Sequence, residues 1–179
     1  MALTSTMHVF DLDLSDIDRG VYMSQRLEVA RHPSETEAYM LTRGLAFALE
    51  YEEGLAFGPG LCAADEPALT VKDLTGQLKA IIEVGSTDAD RLHRNCKAVN
   101  RVVVYCHHDI DAFLRNLAGR KIYAPERLRI IAVDRELLGE LEAGLQRRNK
   151  LSISVTEGTL YVDYNGQSLT GAMTDVAWR

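Results

Sequence analysis

Two acidic residues flanking one predicted strand offer the clearest chemistry in the sequence. Glu83 lies near the end of the apolar segment 78–84, and Asp73 precedes that segment across a short predicted turn. An unpaired charge in a buried strand costs on the order of several kcal/mol, so Glu83 must meet a cation, a metal ion or a proton. α/β sheets bind ligands beyond the carboxyl ends of their strands, where Glu83 lies. Because Asp73 precedes this strand across a tight turn, we expect the two side chains to converge.

A third carboxylate is expected from the start of a long predicted helix, where Glu35 and Glu37 lie. Three oxygen ligands around one cavity suit Mg²⁺ or Mn²⁺ better than Zn²⁺, and such an ion polarises a phosphoryl oxygen and activates water. The acids therefore predict a divalent-cation site for phosphodiester hydrolysis. Each also has a purely structural interpretation, as a helix-start acid, a turn residue or half of a buried salt bridge.

The elements that position these acids begin with a hairpin. Phe10, Leu12 and Leu14 alternate with polar residues, and residues 15–20 form the predicted turn into a second strand. After Pro33, Ser34 and Glu37 have the spacing of a capping box, which predicts a helix running to about Tyr51.

The remainder of the chain predicts an α/β fold. Continuous apolar strands that alternate with helices indicate parallel neighbours buried on both faces. The predicted elements are strands at 68–73 and 78–84 around a turn at 74–76, a helix capped by Ser86 or Asp88, a strand at 101–105, a helix opened by Asp109, a strand at 128–133, a helix over 134–147, and a closing hairpin at 151–156 and 159–164. We expect a single domain over residues 1–179, with a mixed sheet flanked by helices and β-hairpins at both ends.

Composition excludes several classes of protein. With 46% hydrophobic residues the chain is not disordered, and its longest apolar runs are too short to cross a membrane. No secretory signal is visible, and three cysteines without CxxC spacing are typical of a cytoplasmic protein with reduced thiols. Residues 1–90 hold 6 basic and 16 acidic side chains, whereas residues 91–150 hold 13 basic and 7 acidic. This asymmetry can place carboxylates beside a cationic surface, as phosphate chemistry requires.

A second group of reactive side chains follows the predicted strand at 101–105. Cys106, His107 and His108 are consecutive, so they offer either Zn²⁺ ligands or a cysteine nucleophile with a histidine base. Consecutive residues rarely aim at one ion, and no fourth ligand has matching spacing. Both interpretations are weaker than the carboxylate site.

Three sequence blocks resemble the signature blocks of the YaeQ family, and the resemblance covers essentially the whole chain. The blocks are Arg31-His32-Pro33-Ser34-Glu35-Thr36, Gly60-Leu61-Cys62-Ala63-Ala64-Asp65-Glu66-Pro67 and Ile82-Glu83-Val84-Gly85. That family is assigned to the restriction-endonuclease-like PD-(D/E)XK superfamily, which implies a core sheet flanked by helices and an ancestral Mg²⁺-dependent cleavage of nucleic acid. The resemblance implies Glu35 as the helix acid, Asp73 or alternatively Asp65 as the first motif acid, and Glu83 as the second motif acid.

The chain departs from the superfamily pattern at Gly85, where the second motif has a lysine. A lysine beside the metal ion lowers the pKa of the attacking water and neutralises developing charge. Some members of the superfamily carry this cation on the following helix, where Arg91 and Lys97 flank the predicted core face. Lys97 is the expected replacement, since a guanidinium does not deprotonate. The alternative is a catalytically inactive module that binds a nucleic acid or protein partner.

Overall fold

The computed structural model describes residues 4–59 and 65–178. The first five residues of the block that begins at Gly60, Cys62 among them, lie outside these ranges. The elements in chain order are β1 (Thr6–Asp16), β2 (Val21–Arg31), α1 (Glu37–Leu49), β3 (Leu55–Phe57), β4 (Leu69–Lys72), β5 (Leu78–Val84), α2 (Ala89–Ala98), β6 (Arg101–Cys106), α3 (Ile110–Leu117), a 3-10 turn (Pro125–Arg127), β7 (Leu128–Val133), α4 (Arg135–Ala143), β8 (Arg148–Thr156), β9 (Thr159–Tyr164) and β10 (Gln167–Asp175).

Ten strands of the described chain form one mixed sheet in the order β2-β1-β8-β9-β10-β7-β6-β5-β4-β3. Strands β5, β6 and β7 are parallel neighbours, as their continuous apolar sequences predict, and β1 is parallel to β8. Apolar residues of β1, β2, β5, β8 and β9 share one core with α1, so both halves of the sheet pack on this helix. Helices α2 and α3 cover the opposite face of β5, β6 and β7 with a second core.

Helix α1 begins later than its sequence predicts. Its N-cap is Thr36, whose Oγ1 accepts a hydrogen bond from the backbone N–H of Tyr39 at 3.1 Å. Ser34 instead donates its backbone N–H to Nδ1 of His32, so the predicted capping box between Ser34 and Glu37 is wrong. A two-residue shift leaves Glu35 outside the helix, which determines what this acid contacts.

The C-terminal part of the chain contains a strand that the pattern did not predict. Strand β10 is polar and mostly exposed, so it lacks the apolar alternation that marks a half-buried strand. Its first residues pair with β9 and its last with β7, and it thereby joins the two halves of the sheet. Helix α4 ends at Ala143 rather than near residue 147, because Gly144 caps it and β8 begins at Arg148. Within the described ranges, no helix is long and apolar enough to span a membrane.

Candidate functional site

Glu83 lies at the carboxyl end of β5 and faces α2. It follows Ile81 on the same face of the strand and is only 4% exposed. Its Oε1 accepts hydrogen bonds from Nε of Arg91 at 2.7 Å and from Nδ2 of Asn95 at 2.8 Å, while Oε2 accepts from Nη2 of Arg91 at 3.1 Å. The cation that the buried carboxylate requires is therefore supplied by Arg91.

Helix α2 presents these partners because it begins immediately beyond β5. Asp88 caps the helix by accepting from the backbone N–H of Arg91 at 2.8 Å, which orients the first turn towards the strand end. Asn95 is four residues after Arg91, hence only about 40° around the helix. Asn95 is not among the residues predicted from the sequence, although this spacing places it on the same face as Arg91.

Lys97 does not reach Glu83. Its helical position is about 120° away from that of Arg91, so it projects from a different side of α2. Its Nζ lies 6.0 Å from the ring centroid of Tyr123. The expectation that Lys97 supplies a cation beside Glu83 is wrong, because Arg91 is the residue that pairs with Glu83.

Asp73 also lies away from Glu83, at the opposite end of β5. Strands β4 and β5 are antiparallel, with Lys72 opposite Leu78, so Asp73 belongs to the turn that precedes β5. Glu83 lies five positions after Leu78 along the strand, a distance of about 17 Å. The prediction that Asp73 and Glu83 converge is therefore wrong, since the register of the hairpin separates them.

The contacts of Asp73 are those of a turn residue. Its Oδ1 accepts from Oγ1 of Thr75 at 2.6 Å and from the backbone N–H of Gln77 at 3.0 Å, and Oδ2 pairs with Nζ of Lys79 at 3.1 Å. The Thr75 hydroxyl and then the Lys79 ammonium hold the pKa of Asp73 well below its usual range. The ionised carboxylate of Asp73 therefore stabilises the turn between β4 and β5.

Asp65, the alternative first acid, is closer to the Glu83 end of the strand. Nη2 of Arg91 donates to the backbone carbonyl of Glu66 at 2.7 Å, so one guanidinium joins segment 65–67 to Glu83. The side chain of Asp65 itself is exposed. Arg91 thus contacts both the segment that contains Asp65 and the carboxylate of Glu83.

Glu35 forms a second buried ion pair. Its Oε2 accepts from Nη2 of Arg43 at 2.9 Å, and the two side chains are 1% and 4% exposed. The same Nη2 donates to the carbonyl of Ala30 at 2.8 Å, and Arg31 donates to the carbonyl of Glu35 at 3.2 Å. Glu35 therefore fixes the connection between β2 and α1.

Tyr39 connects the two ion pairs. Burial raises the pKa of its hydroxyl, and Arg43, Glu35, Glu83 and Arg91 all lie close enough to perturb it further. The guanidinium carbon of Arg43 is 5.6 Å from the ring centroid. We call the following residues the strand-end cluster: Glu35, Tyr39, Arg43, Glu83, Arg91, Asn95 and His107.

His107 completes the strand-end cluster from the end of β6. Its ring packs edge-on against Tyr39, with centroids 6.1 Å apart, and lies 4.0 Å from the ring of His108. His107 is only 7% exposed, and among the described residues its Nδ1 has no hydrogen-bond partner. Burial, together with the charge on His108, lowers the pKa of His107 to about 4.

This burial predicts an acid-sensitive contribution to stability. The unfolded chain protonates the imidazole below about pH 6.5, whereas the folded chain keeps it neutral until about pH 4. The unfolded state therefore binds more protons in this window, so stability falls as the pH falls. We expect wild-type protein to lose about 2 kcal/mol more than His107→Phe between pH 7 and pH 5 in urea denaturation. Equal losses would show that His107 titrates normally.

The backbone at Gly85 does not suit the lysine that the superfamily pattern would place there. Its φ is +94°, a conformation that L side chains rarely adopt, and its N–H donates to the carbonyl of Tyr105 at 2.9 Å. A Cβ at this position would lie 3.7 Å from Cε1 of His107. The chain turns sharply at the strand end, and a lysine there would be strained.

Cys106 does not have the surroundings of a nucleophile. The thiol is buried, its Sγ lies 3.9 Å from the carbonyl oxygen of His108, and burial raises its pKa. Within the part of the chain that the structure describes, no three His, Cys, Asp or Glu side chains are placed to hold a metal ion. The zinc and cysteine–histidine interpretations therefore have no geometric support among these residues.

The acids predicted to bind Mg²⁺ do not fit such an ion. Three of them have their own basic partner: Arg43 for Glu35, Lys79 for Asp73 and Arg91 for Glu83. Asp65 is exposed, and the Arg91 guanidinium joins the backbone of the next residue, Glu66, to Glu83. A metal ion at Glu83 would have to displace both Arg91 and Asn95.

Comparison with known proteins identifies close structural relatives. The sequence profile described as YaeQ protein matches residues 1–173. The crystal structure of YaeQ protein from Pseudomonas syringae is 35% identical, with a TM-score of 0.86, and the match covers 97% of this chain and 96% of that one. The YaeQ protein from Xanthomonas axonopodis pv. citri is 31% identical, with a TM-score of 0.88 and coverage of 96% and 98%. The uncharacterised YaeQ protein of Escherichia coli K12 is 28% identical over 182 residues, which span 100% of this chain and 98% of that protein.

Proposed function

The chain belongs to the YaeQ family, and we propose that it is a nuclease-like module that binds nucleic acid without metal-dependent cleavage. The resemblance to restriction-endonuclease-like proteins supports the nucleic acid as partner. The mixed sheet, with its candidate site beyond the carboxyl ends of β5 and β6, agrees with that resemblance. Fold alone does not define activity, so the proposal depends on the chemistry of the strand-end cluster.

The observation that carries the proposal is the occupation of Glu83 by Arg91 and Asn95. Three hydrogen bonds of 2.7 to 3.1 Å engage both carboxylate oxygens. The carboxylate of Glu83 is 4% exposed, so displacing Arg91 would leave both charges poorly solvated. A metal ion would have to offset the free energy of this lost ion pair before its own binding became favourable. Arg91 lies on the helix where some members of the superfamily carry their catalytic cation. Here it neutralises the buried carboxylate of Glu83 and thus acts as a structural cation.

Hydrolysis by a Mg²⁺-dependent mechanism is the rival function. It needs several carboxylates on one ion and a basic group beside it. The structure separates Asp73 from Glu83 and directs Lys97 towards Tyr123. The geometry therefore favours binding over this mechanism.

Charge favours a nucleic acid over a protein as the partner. Residues 91–150 hold 13 basic and 7 acidic side chains, although the whole chain carries a net charge of −6. A cationic segment within an acidic protein confines phosphate contacts to one region and limits non-specific coating of DNA.

The test compares binding and cleavage on the same labelled oligonucleotides. We expect wild-type protein to bind single- or double-stranded DNA or RNA with an affinity that falls with salt, equally in EDTA and in Mn²⁺, and to leave the substrate intact. Glu83→Gln and the matched surface variant Glu28→Gln provide controls, each checked by thermal melting. Mn²⁺-dependent cleavage by wild type that folded Glu83→Gln lacks would overturn the proposal, as would failure of wild type to bind any of these oligonucleotides.

A further inference from the structure

An exposed aromatic ring surrounded by cations lies on the outer side of α2, away from the strand-end cluster. Tyr123 is 45% exposed. The Arg127 guanidinium carbon lies 5.5 Å and the Lys97 Nζ 6.0 Å from its ring centroid, and the ring of His93 meets it edge-on at 6.4 Å. We call the following residues the Tyr123 surface: His93, Arg94, Lys97, Lys121, Tyr123 and Arg127.

The backbone around this ring is held in place. Nη1 of Arg127 donates to the carbonyls of Cys96 at 3.0 Å and Val99 at 3.5 Å, which fastens the segment to the end of α2. Nδ1 of His93 lies 3.1 Å from the carbonyl oxygen of Lys121, which is within hydrogen-bond distance. Ala124, the next residue after Tyr123, has φ +41°, a left-handed conformation that costs on the order of a kcal/mol for a residue with a Cβ. The fold thus maintains strain beside an exposed tyrosine, as is typical of ligand-binding positions.

Positive charge around the ring remains available to solvent. Lys97 is exposed, as are Arg94, three residues before it on α2, and Lys121, two residues before Tyr123, and within the described residues none of the three forms a salt bridge. The nearest acids along the chain are Asp90 on α2 and Glu126 in the 3-10 turn, so cations exceed acids on this surface. Such a surface attracts a polyanion.

We propose that the Tyr123 surface binds single-stranded nucleic acid, with a base stacked on Tyr123 and phosphates contacting Lys97, Arg94 and Lys121. This inference rests on the proposed function and assigns its binding surface and substrate class. A single strand is favoured over a duplex because only unpaired bases expose a face that can stack on a side chain. Cations beside an aromatic ring combine the two contacts by which proteins hold single strands.

The experiment measures fluorescence anisotropy of labelled 12-nucleotide DNA and RNA strands and of the corresponding duplexes. We expect Tyr123→Ala to weaken single-strand binding about tenfold, the loss of one stacked base, and Tyr123→Phe to retain it. Lys97→Gln should weaken binding and reduce the salt dependence of log K by about 0.7, the loss of one phosphate contact. Tyr22→Ala and Arg26→Gln, on the exposed surface of β2, are the matched controls and should bind like wild type.

The outcomes separate this inference from the proposed function. Wild-type binding that Tyr123→Ala and Lys97→Gln leave unchanged would overturn the Tyr123 surface but not the proposed function. No binding by wild type would overturn both. Preference for duplex, or equal competition by polyglutamate, would overturn the single-stranded substrate class and indicate a general cationic surface.

Discussion

Replacing Glu35 with alanine is expected to lower the free energy of unfolding by about 3–5 kcal/mol. The substitution leaves the guanidinium of Arg43, whose side chain is 4% exposed, without its carboxylate. Arg43 would keep its hydrogen bond to the carbonyl of Ala30, which satisfies one donor but does not neutralise the charge. Urea denaturation measures the change, because urea, unlike guanidinium chloride, does not change the ionic strength during the titration.

Glu37 provides the matched control for Glu35. It lies two residues further on, is only half-buried, and acts as an acid in the first turn of α1. We expect Glu37→Ala to cost no more than about 1 kcal/mol, the usual contribution of a helix-start acid. The double variant Glu35→Ala/Arg43→Met should recover part of the loss, since it removes both charges. A loss from Glu35→Ala as small as that from Glu37→Ala would show that the buried ion pair contributes little.

Replacing Glu83 with alanine is expected to cost about 3 kcal/mol, the lower end of the range for a broken buried pair. The side chain of Arg91 is 17% exposed and keeps the carbonyl of Glu66 as an acceptor, so it is partly solvated after the substitution. Asn95 also loses an acceptor. Urea denaturation again measures the change.

Asp73→Ala is the comparison for Glu83→Ala, because the sequence predicted that both acids bind the same metal ion. Asp73 lies in an exposed turn, so its removal should cost much less than that of Glu83. Similar losses for the two substitutions would contradict the assignment of Glu83 to a buried ion pair and Asp73 to a turn.

The sequence predicts most of the fold because local signals and core pattern agree. Alternating residues around Leu12 and the apolar strand at 128–133 are found where expected, as are the caps Asp109 and Asp134. Strand β10 was missed because sheet pairing on both sides, rather than apolar alternation, determines it. The predicted N-cap at Ser34 is wrong because Thr36, which also has the short hydroxyl side chain that a cap prefers, caps the helix instead.

The site was harder to predict, since it depends on register and helix phase. Burial of Glu83 and its need for a cation followed from the apolar strand around it, and the structure confirms both. The predicted convergence of Asp73 and Glu83 is wrong. The turn brings Asp73 close to the first residues of β5, whereas Glu83 lies at the other end of that strand. The orphaned Nδ1 of His107 could not be inferred, because it depends on how Tyr39 and Gly85 pack around the ring.

Calorimetric titration of Mn²⁺ and Mg²⁺ into wild type, Glu83→Gln and Asp73→Asn tests the pairing of each acid with its own cation most directly. We predict that the three proteins give the same weak heats, because Arg91 and Asn95 already engage the carboxylate of Glu83. Stoichiometric binding by wild type that disappears in correctly folded Glu83→Gln would contradict this arrangement and restore a metal centre at the end of β5.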